Sequence, residues 1–254
     1  DMSTFDSNIP DFIARRRWWA LPLLVWMAVV GGSLVSHFSE LEAHSQRVAV
    51  EGARNMFRMV VLIRAWNADH GGIYLPVSEK LQPNPYLKHP RRDLVTQDGQ
   101  ALTLVNPAYM TRLLSEVAKA QDGATFHITS LKPIRPANEP DPWESRALQA
   151  FETGQEEATE VVQTQGGRVL RYMAPLFVTK PCLTCHAKQG YKEGDIRGGI
   201  SVTQRYQPFL AAAAPSEMQA WVTHLVIFLR LSGICWWLLE PLRGRWFELL
   251  GKIE

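Results

Sequence analysis

The stretch Glu157–Val178, EATEVVQTQGGRVLRYMAPLFV, alternates apolar and polar side chains on either side of two consecutive glycines. Such alternation is typical of strands with one buried face, and Gly166 with Gly167 provides the turn between them. The stretch therefore predicts an antiparallel β-hairpin. A further alternating run, GGISVTQRY at Gly198–Tyr206, predicts a third strand, so that the three make a small antiparallel sheet.

Helical patterns precede the hairpin. PAYMTRLLSEVAKA (Pro107–Ala120) begins with a helix-starting proline, and DPWESRALQAFETG (Asp141–Gly154) has a capping aspartate at its start and a glycine stop at its end. Between them, FHITSLKPIRP (Phe126–Pro136) alternates like a strand, whereas Gly71–Asn106 is rich in turn residues and predicts a loop with short extended pieces. Helices packed on a small antiparallel sheet define an α+β domain.

Two segments are apolar and long enough to cross a hydrocarbon core of about 30 Å. Trp18–His37 (WWALPLLVWMAVVGGSLVSH) has no charged residue, and its apolar run is longer than that of a typical cleaved signal peptide, which is the alternative. Ala220–Leu239 (AWVTHLVIFLRLSGICWWLL) carries tryptophans near both ends. Arg230 near its middle needs a partner or a route to the interface, so a buried or surface-lying helix is the alternative there.

The flanking charges predict the orientation. Three arginines, Arg15 to Arg17, precede the first segment, and Arg243, Arg245 and Lys252 follow the second, which places both termini in the cytoplasm. The predicted organisation is a cytoplasmic N-terminus (1–17), a transmembrane helix (18–37), an extracytoplasmic domain (38–219), a second transmembrane helix (220–239) and a cytoplasmic tail (240–254).

Apolar residues from Phe38 to Ile63 recur at spacings of three, four and seven, which predicts one long helix continuing from the first membrane segment. The stretch Trp66–Gly72, with two glycines, predicts its end. This apolar stripe could bury against the domain body or against a second copy of the chain.

The composition excludes some partners and activities. Of 254 residues, 46% are hydrophobic and 20% charged, which is typical of a globular protein. A formal net charge of +2, from scattered lysines and arginines, does not indicate nucleic acid as a partner. We see no nucleophile-and-base arrangement, phosphate loop or second metal cluster in the sequence, so we predict that the protein is not an enzyme.

The stretch PCLTCHAKQGYKEGD (Pro181–Asp195) holds Cys182 and Cys185, with His186 directly after them. This Cys-x-x-Cys-His spacing lets two thiols reach both vinyl groups of a haem while the imidazole ligates the iron. We therefore predict one covalent haem c, with thioethers from both cysteines and His186 as the proximal ligand. A structural zinc site needs four ligands, and because Cys235 lies in a membrane segment, zinc would have to recruit distant histidines. A thioredoxin-like redox dithiol is the other alternative, but the βαβ pattern that supports it is missing.

The other axial position has several candidates. We place His70 first, because Gly71 and Gly72 after it let the backbone approach a large ring closely. An open position or a methionine is the alternative. The remaining histidine and methionine candidates in the exported part are His127, Met56, Met59, Met110 and Met173. Haem propionates are anions, and the cations nearest these motifs are Arg64, Arg171, Lys180 and Lys188, each of which could equally be a solvated surface charge.

Four blocks of this sequence resemble the successive signatures of a bacterial family of periplasmic c-type haem domains with a PAS-like fold. They are WNADHGGIYLPVSEKLQPNPYLK (66–88), LTLVNPAYMTR (102–112), FHITSLKPIRPANEPDPWE (126–144) and CLTCHAKQGYKEGDIRGGISV (182–202). Members are typically held between two transmembrane helices and followed by a HAMP linker and a histidine kinase, diguanylate cyclase or chemoreceptor domain. No such output domain follows EPLRGRWFELLGKIE, so either we expect it on another chain or in a part missing from this one, or the protein is not a signalling protein.

The resemblance implies a sensor of redox state or of a diatomic gas, in which a change at the iron tilts or slides the long helix. The alternative is a membrane-anchored cytochrome c, an electron-transfer or structural subunit of a larger complex, with Arg230 meeting a partner inside the membrane. We expect either a homodimer or a subunit of a membrane complex.

Overall fold

The fold was examined in a computed structural model, which describes residues 20–121 and 123–250. Five helices and seven strands follow one another in the described chain: α1 (Ala20–Asp69), β1 (Ile73–Pro76), β2 (Asp93–Val95), β3 (Ala101–Val105), α2 (Pro107–Gln121), β4 (Thr125–Thr129), α3 (Pro142–Glu152), β5 (Ala158–Thr164), β6 (Gly167–Phe177), α4 (Lys180–His186), β7 (Ile196–Arg205) and α5 (Gln207–Leu250). Single 3-10 turns occur at Pro136–Asn138 and Ala187–Gln189. The α+β class and the long helix ending before Gly71 are confirmed.

The chain divides into two compact units. One is Gln46–Phe209, and the other combines the described residues up to Ser45 with those from Leu210 onward. The helices α1 and α5 each begin in one unit and end in the other. The predicted flanking charges Arg15 to Arg17 and Lys252 lie outside the described residues.

In the unit other than Gln46–Phe209, the described residues form apolar helix. Both α1 and α5 are long and apolar enough to cross a membrane, by length and composition, which is compatible with a two-pass membrane protein. Within this unit, the Trp26 indole N–H donates to Cys235 Sγ at 3.1 Å, and the rings of Phe38 and Trp221 lie 5.5 Å apart.

The larger unit contains two antiparallel sheets instead of the single sheet that the sequence predicted. The four-stranded sheet has the order β4-β7-β6-β5 and includes the predicted hairpin, in which Thr164 pairs with Gly167. The three-stranded sheet has the order β1-β3-β2 and lies in the stretch predicted as loop with short extended pieces. Its strands are three to five residues long and paired by distant partners, such as Ile73 with Val105, so local pattern alone does not reveal them.

The helix α3 packs on the four-stranded sheet and forms a core with it. Leu148 and Phe151 of α3 are 1% and 2% exposed, and Met173 of β6 is fully buried against them. A Cβ atom at Gly199 would lie 2.5 Å from Met173 Cε and 3.0 Å from the Ala174 carbonyl oxygen, so a side chain there would force Met173 to shift. Met173, one of the methionines considered as a haem ligand, therefore contributes to the core of this unit.

The start of α3 confirms the predicted aspartate cap. The Asp141 carboxylate accepts from the Glu144 backbone N–H at 2.9 Å, while the Glu144 carboxylate accepts from the Asp141 N–H at 3.1 Å, which makes a capping box. The helix is followed by Gly154 with a φ of 98°, as the predicted glycine stop requires.

The same Glu144 carboxylate joins α3 to the sheet. Its side chain is 2% exposed, and it accepts hydrogen bonds from the Ser201 hydroxyl of β7 and from His127 Nδ1 of β4 at 3.0 Å. The guanidinium of Arg171 on β6 lies 3.5 Å away and pairs with Asp141 at 2.6 Å. A buried carboxylate is stable only when it is well paired, so this group of side chains holds three strands against α3.

Protonation of His127 is favoured at this place. Its Nδ1 faces the Glu144 carboxylate and its Nε2 faces the Ala137 carbonyl at 3.0 Å, and only the imidazolium can donate from both nitrogens. The hydrogen bond to Glu144 raises the pKa of His127. Burial opposes ionisation of Glu144, but hydrogen bonds from His127 and Ser201 outweigh it and lower the pKa of that carboxyl.

We predict that His127 stabilises the domain most in mildly acidic solution. The raised pKa of His127 adds stability that is fully present below about pH 6.5 and is lost as the pH rises through the folded-state pKa. The lowered pKa of Glu144 adds stability that is lost as the pH falls toward acid. The His127 side chain is 39% exposed, so screening limits its effect to about 1 kcal/mol, or about 2–4 °C in Tm.

Thermal unfolding between pH 6 and 8 measures this effect. His127→Gln should lower Tm at pH 6 and flatten its decline toward pH 8, whereas His44→Gln, which changes an exposed histidine of α1, should leave the profile unchanged. Equal pH profiles for His127→Gln and the parent protein would refute the assignment.

Candidate functional site

The Cys-x-x-Cys-His motif forms the short helix α4. Its first residue follows Thr179, which has extended backbone angles, and Pro181 lies in the first turn, where a proline needs no N–H partner. The helix ends at His186. Cys182 and His186 are four residues apart, so they project from one face, and both are half-buried. The Cys182 thiol contacts the Thr179 hydroxyl at 3.3 Å, and Cys185 lies in the same helix.

The imidazole of His186 is held at one nitrogen. Nδ1 lies 2.7 Å from Gln189 Oε1 and 3.2 Å from Arg197 Nε, whereas Nε2 has no hydrogen bond within the described residues. Gln189 Oε1 can only accept and Arg197 Nε–H can only donate, so Nδ1 bonds one of them at a time; in the tautomer that makes the shorter contact, Nδ1–H donates to Gln189 and Nε2 carries the lone pair. Burial lowers the pKa of His186, and the positive charges of Arg197 and Arg64 lower it further. The ring is therefore neutral at neutral pH, with a free ligating nitrogen.

Arg64 of α1 is one of the two cations that act on His186. Its guanidinium donates from Nη1 to the Pro107 carbonyl at 3.0 Å and to the Thr111 hydroxyl at 3.1 Å, at the start of α2. Burial lowers the pKa of Arg64 to about 10, while its interaction with Cys182 raises it, so it remains charged at neutral pH. In the part of the chain that the structure describes, no carboxylate forms an ion pair with it.

Arg197 of β7 is a second cation beside His186, and the sequence did not single it out. It lies 5.0 Å over the ring of Tyr191 and hydrogen-bonds the Ser130 hydroxyl. Burial lowers the pKa of Arg197. In the sequence, Arg197 is marked only by its position in the fourth signature block. Its contact with His186 depends on the placement of β7 beside α4, which local sequence does not show.

Other predicted residues lie elsewhere or at the surface. Arg171 pairs with Asp141 and lies 4.2 Å over the Trp143 ring, so the structure does not bring it to α4. Lys180 and Lys188 are exposed, at the start of α4 and just after its end. His70 is exposed, with Nδ1 2.8 Å from the Trp66 carbonyl. Among the described residues, His70 makes no hydrogen bond or ring contact with α4.

The arrangement combines an imidazole with a free nitrogen, a thiol on the same helix face and two nearby cations. Such a group can hold a metal-bearing ligand that carries negative charge, because the imidazole supplies a lone pair and the guanidiniums supply N–H donors for anionic oxygens. The arginines Arg64 and Arg197 lack carboxylate partners within the described ranges, which an anionic ligand would provide. The residues present therefore fit a haem with ionised propionates.

The fold and this group of residues define a class: an α+β domain with a Cys-x-x-Cys-His helix, in a chain with two apolar helices. The family model described as Tll0287-like matches residues 42–205. The chain belongs to the Tll0287-like family. No curated protein matches the chain.

A solved structure is described as that of the cyanobacterial heme-protein Tll0287. It shares 19% sequence identity with this chain at a TM-score of 0.32, and the match covers 37% of this chain and 68% of that one. This similarity is too low to assign a shared fold.

Proposed function

We propose that this protein is a membrane-anchored, non-enzymatic haem protein that senses redox state or a diatomic gas. One haem c is bound through thioethers from Cys182 and Cys185, with Nε2 of His186 as the proximal ligand. The observation that carries the proposal is the α4 imidazole, held at Nδ1 and free at Nε2, directly after the two cysteines. Membership of the Tll0287-like family supports it, since Tll0287 is itself a heme-protein.

The proposed location is the bacterial inner membrane, with the domain in the periplasm and both termini in the cytoplasm. Its support is the pair of apolar helices and the arginine flanks of the sequence. We further propose a PAS-like fold for the periplasmic domain. The four-stranded sheet is compatible with it, because its first strand, β4, lies beside its last, β7.

Signal transmission in this proposal uses α1. Arg64 belongs to α1 and acts electrostatically on both Cys182 and His186. A change in the charge or ligation of the iron would therefore act on the helix that also contains the first apolar segment. The bound state must favour one of two arrangements of α1 for such a signal to pass, and the receiver would be an output domain on another chain or beyond this sequence.

A second candidate function is an electron-transfer or structural subunit of a membrane complex. Arg230 favours it, because it is exposed on α5 within the apolar segment and makes no ion pair with the residues described. An arginine at mid-membrane costs about 2.5–3.5 kcal/mol without a partner, so an acidic group of another subunit would stabilise it there.

The first prediction of this proposal is covalent attachment. After denaturation and extraction with acidic organic solvent, the haem should remain with the polypeptide, because thioether bonds survive where axial ligation does not. Cys182→Ala and Cys185→Ala should each leave one thioether or release the haem, whereas Cys235→Ala, in the membrane segment, should retain two. Intact mass shows whether the haem is attached, the α-band of the pyridine haemochrome distinguishes one thioether from two, and freely extracted haem from the parent protein would refute c-type attachment.

We also predict that Arg64 and Arg197 raise the reduction potential of the haem. A nearby positive charge favours the reduced iron, so Arg64→Gln or Arg197→Gln should lower the potential by about 50 mV or more, equivalent to roughly 1 kcal/mol for a one-electron couple. The matched control is Arg171→Gln, because that guanidinium already pairs with Asp141. Redox titration measures the shifts, and a larger shift in the control would exclude the two arginines as propionate partners. Lys180 and Lys188 stay predictions as further contacts.

The remaining axial position separates redox sensing from gas sensing. If His70 ligates the iron, two imidazoles give a low-spin haem that admits exogenous gases poorly. His70→Ala should then convert the optical spectrum from low-spin to high-spin and create carbon monoxide binding, while His44→Ala should not. Should the parent protein bind carbon monoxide and His70→Ala leave its spectrum unchanged, His70 is excluded and gas sensing is favoured, with Met56, Met59 and Met110 as the remaining methionine ligands outside the core.

A further inference from the structure

Two histidines outside the haem-binding group face each other across the apolar unit. His37 of α1 and His224 of α5 have ring centroids 6.0 Å apart, with ring planes inclined at 54°. We propose that these two side chains bind a divalent transition-metal ion of the zinc or copper class. The site is independent of the haem proposal, since it shares no residue with α4.

The separation of the rings suits two ligands of one ion. With a metal–nitrogen distance of about 2.0–2.1 Å, and a ring nitrogen about 1.1 Å from its centroid, two imidazoles on one ion have centroids about 5–6 Å apart for tetrahedral to linear angles. The observed 6.0 Å lies at the upper end of that range. Rotation of the side chains, with no movement of either helix, would complete the geometry.

The hydrogen bond from His224 Nδ1 leaves the lone pair on Nε2, the nitrogen that would bind the metal ion. Its Nδ1 lies 2.8 Å from the Ala220 carbonyl, which can only accept, so Nδ1 carries the proton and Nε2 carries the lone pair. Donation from the second ring nitrogen to a backbone carbonyl is the usual arrangement of metal-bound histidines, where it fixes the tautomer and the ring orientation. The Ser33 hydroxyl lies 3.1 Å from Nε2 and hydrogen-bonds it, so an ion binding there would displace this hydroxyl.

The position in the chain gives the site access to water. His37 is the last residue of the first apolar segment, and His224 lies one turn into the second, so both are near the same end of the apolar helix pair. Both side chains are half-buried. The ring pair of Phe38 and Trp221, 5.5 Å apart, lies beside them and is typical of a membrane interface.

Ligand chemistry selects the metal. Two imidazoles favour Zn²⁺, Cu²⁺ and Ni²⁺ and do not suit Mg²⁺ or Ca²⁺, which take oxygen ligands. Two protein ligands leave further coordination positions for water, as in an open site. A bound ion would link α1 to α5 and resist sliding of one helix past the other.

The test uses the full chain with its haem in detergent micelles, freed of metal by a chelator. Zn²⁺ titrated by calorimetry should bind the parent protein, and His37→Ala and His224→Ala should each weaken that binding at least about tenfold. His44→Ala, which changes an exposed histidine seven residues further along α1, should bind Zn²⁺ as the parent does. An unchanged far-ultraviolet circular dichroism spectrum identifies the variants that have folded.

A second measurement needs no variant. Electron paramagnetic resonance of Cu²⁺ added to the parent protein should show hyperfine coupling to two imidazole nitrogens. The Cu²⁺ signal is well separated from the signal of the haem iron. Coupling to a single nitrogen, or equal loss of Zn²⁺ binding in His44→Ala and His37→Ala, would overturn the proposal in favour of scattered surface histidines.

Discussion

The buried carboxylate of Glu144 is the interaction on which the larger unit depends. It belongs to α3, closes the capping box with Asp141, and accepts from His127 of β4 and Ser201 of β7. A carboxylate that is 2% exposed is costly unless every oxygen is paired, so these partners must take fixed positions together. These contacts also fix the position of β7, which carries both Ser201 and the functional-site residue Arg197.

The functional site is distinguished by two positive charges that no carboxylate of the described residues pairs. Arg64 and Arg197 converge on His186 from α1 and β7, and burial lowers the pKa of each guanidinium. Elsewhere in the described unit the comparable cation Arg171 has a carboxylate partner, Asp141. Partly buried positive charges without such partners are expected where an anionic ligand belongs to the native state. The haem proposal gives these two arginines a chemical role in addition to explaining the cysteines.

Much of the fold could be predicted from local pattern. The hairpin of β5 and β6, the capping aspartate of α3 and the end of α1 each depend on a few adjacent residues, whose spacing or backbone preferences are visible in the chain. Short extended pieces were predicted where β1, β2 and β3 lie, but their pairing into a sheet was missed because it joins residues as distant as Ile73 and Val105. Hydrogen bonds between residues that far apart follow from tertiary packing, which short periodic patterns do not encode.

For the functional residues, the sequence by itself identified Cys182, Cys185 and His186 as the proposed haem-binding motif, because that prediction depends only on the Cys-x-x-Cys-His spacing. It also determined two apolar segments of membrane-spanning length. Tertiary structure alone decided which cations accompany the motif. Arg171 was a candidate by residue type, yet its strand directs it to Asp141, whereas Arg197 reaches His186 because β7 returns beside α4. Residue type reveals charge, but the pairing of strands decides which charges share a low-dielectric environment.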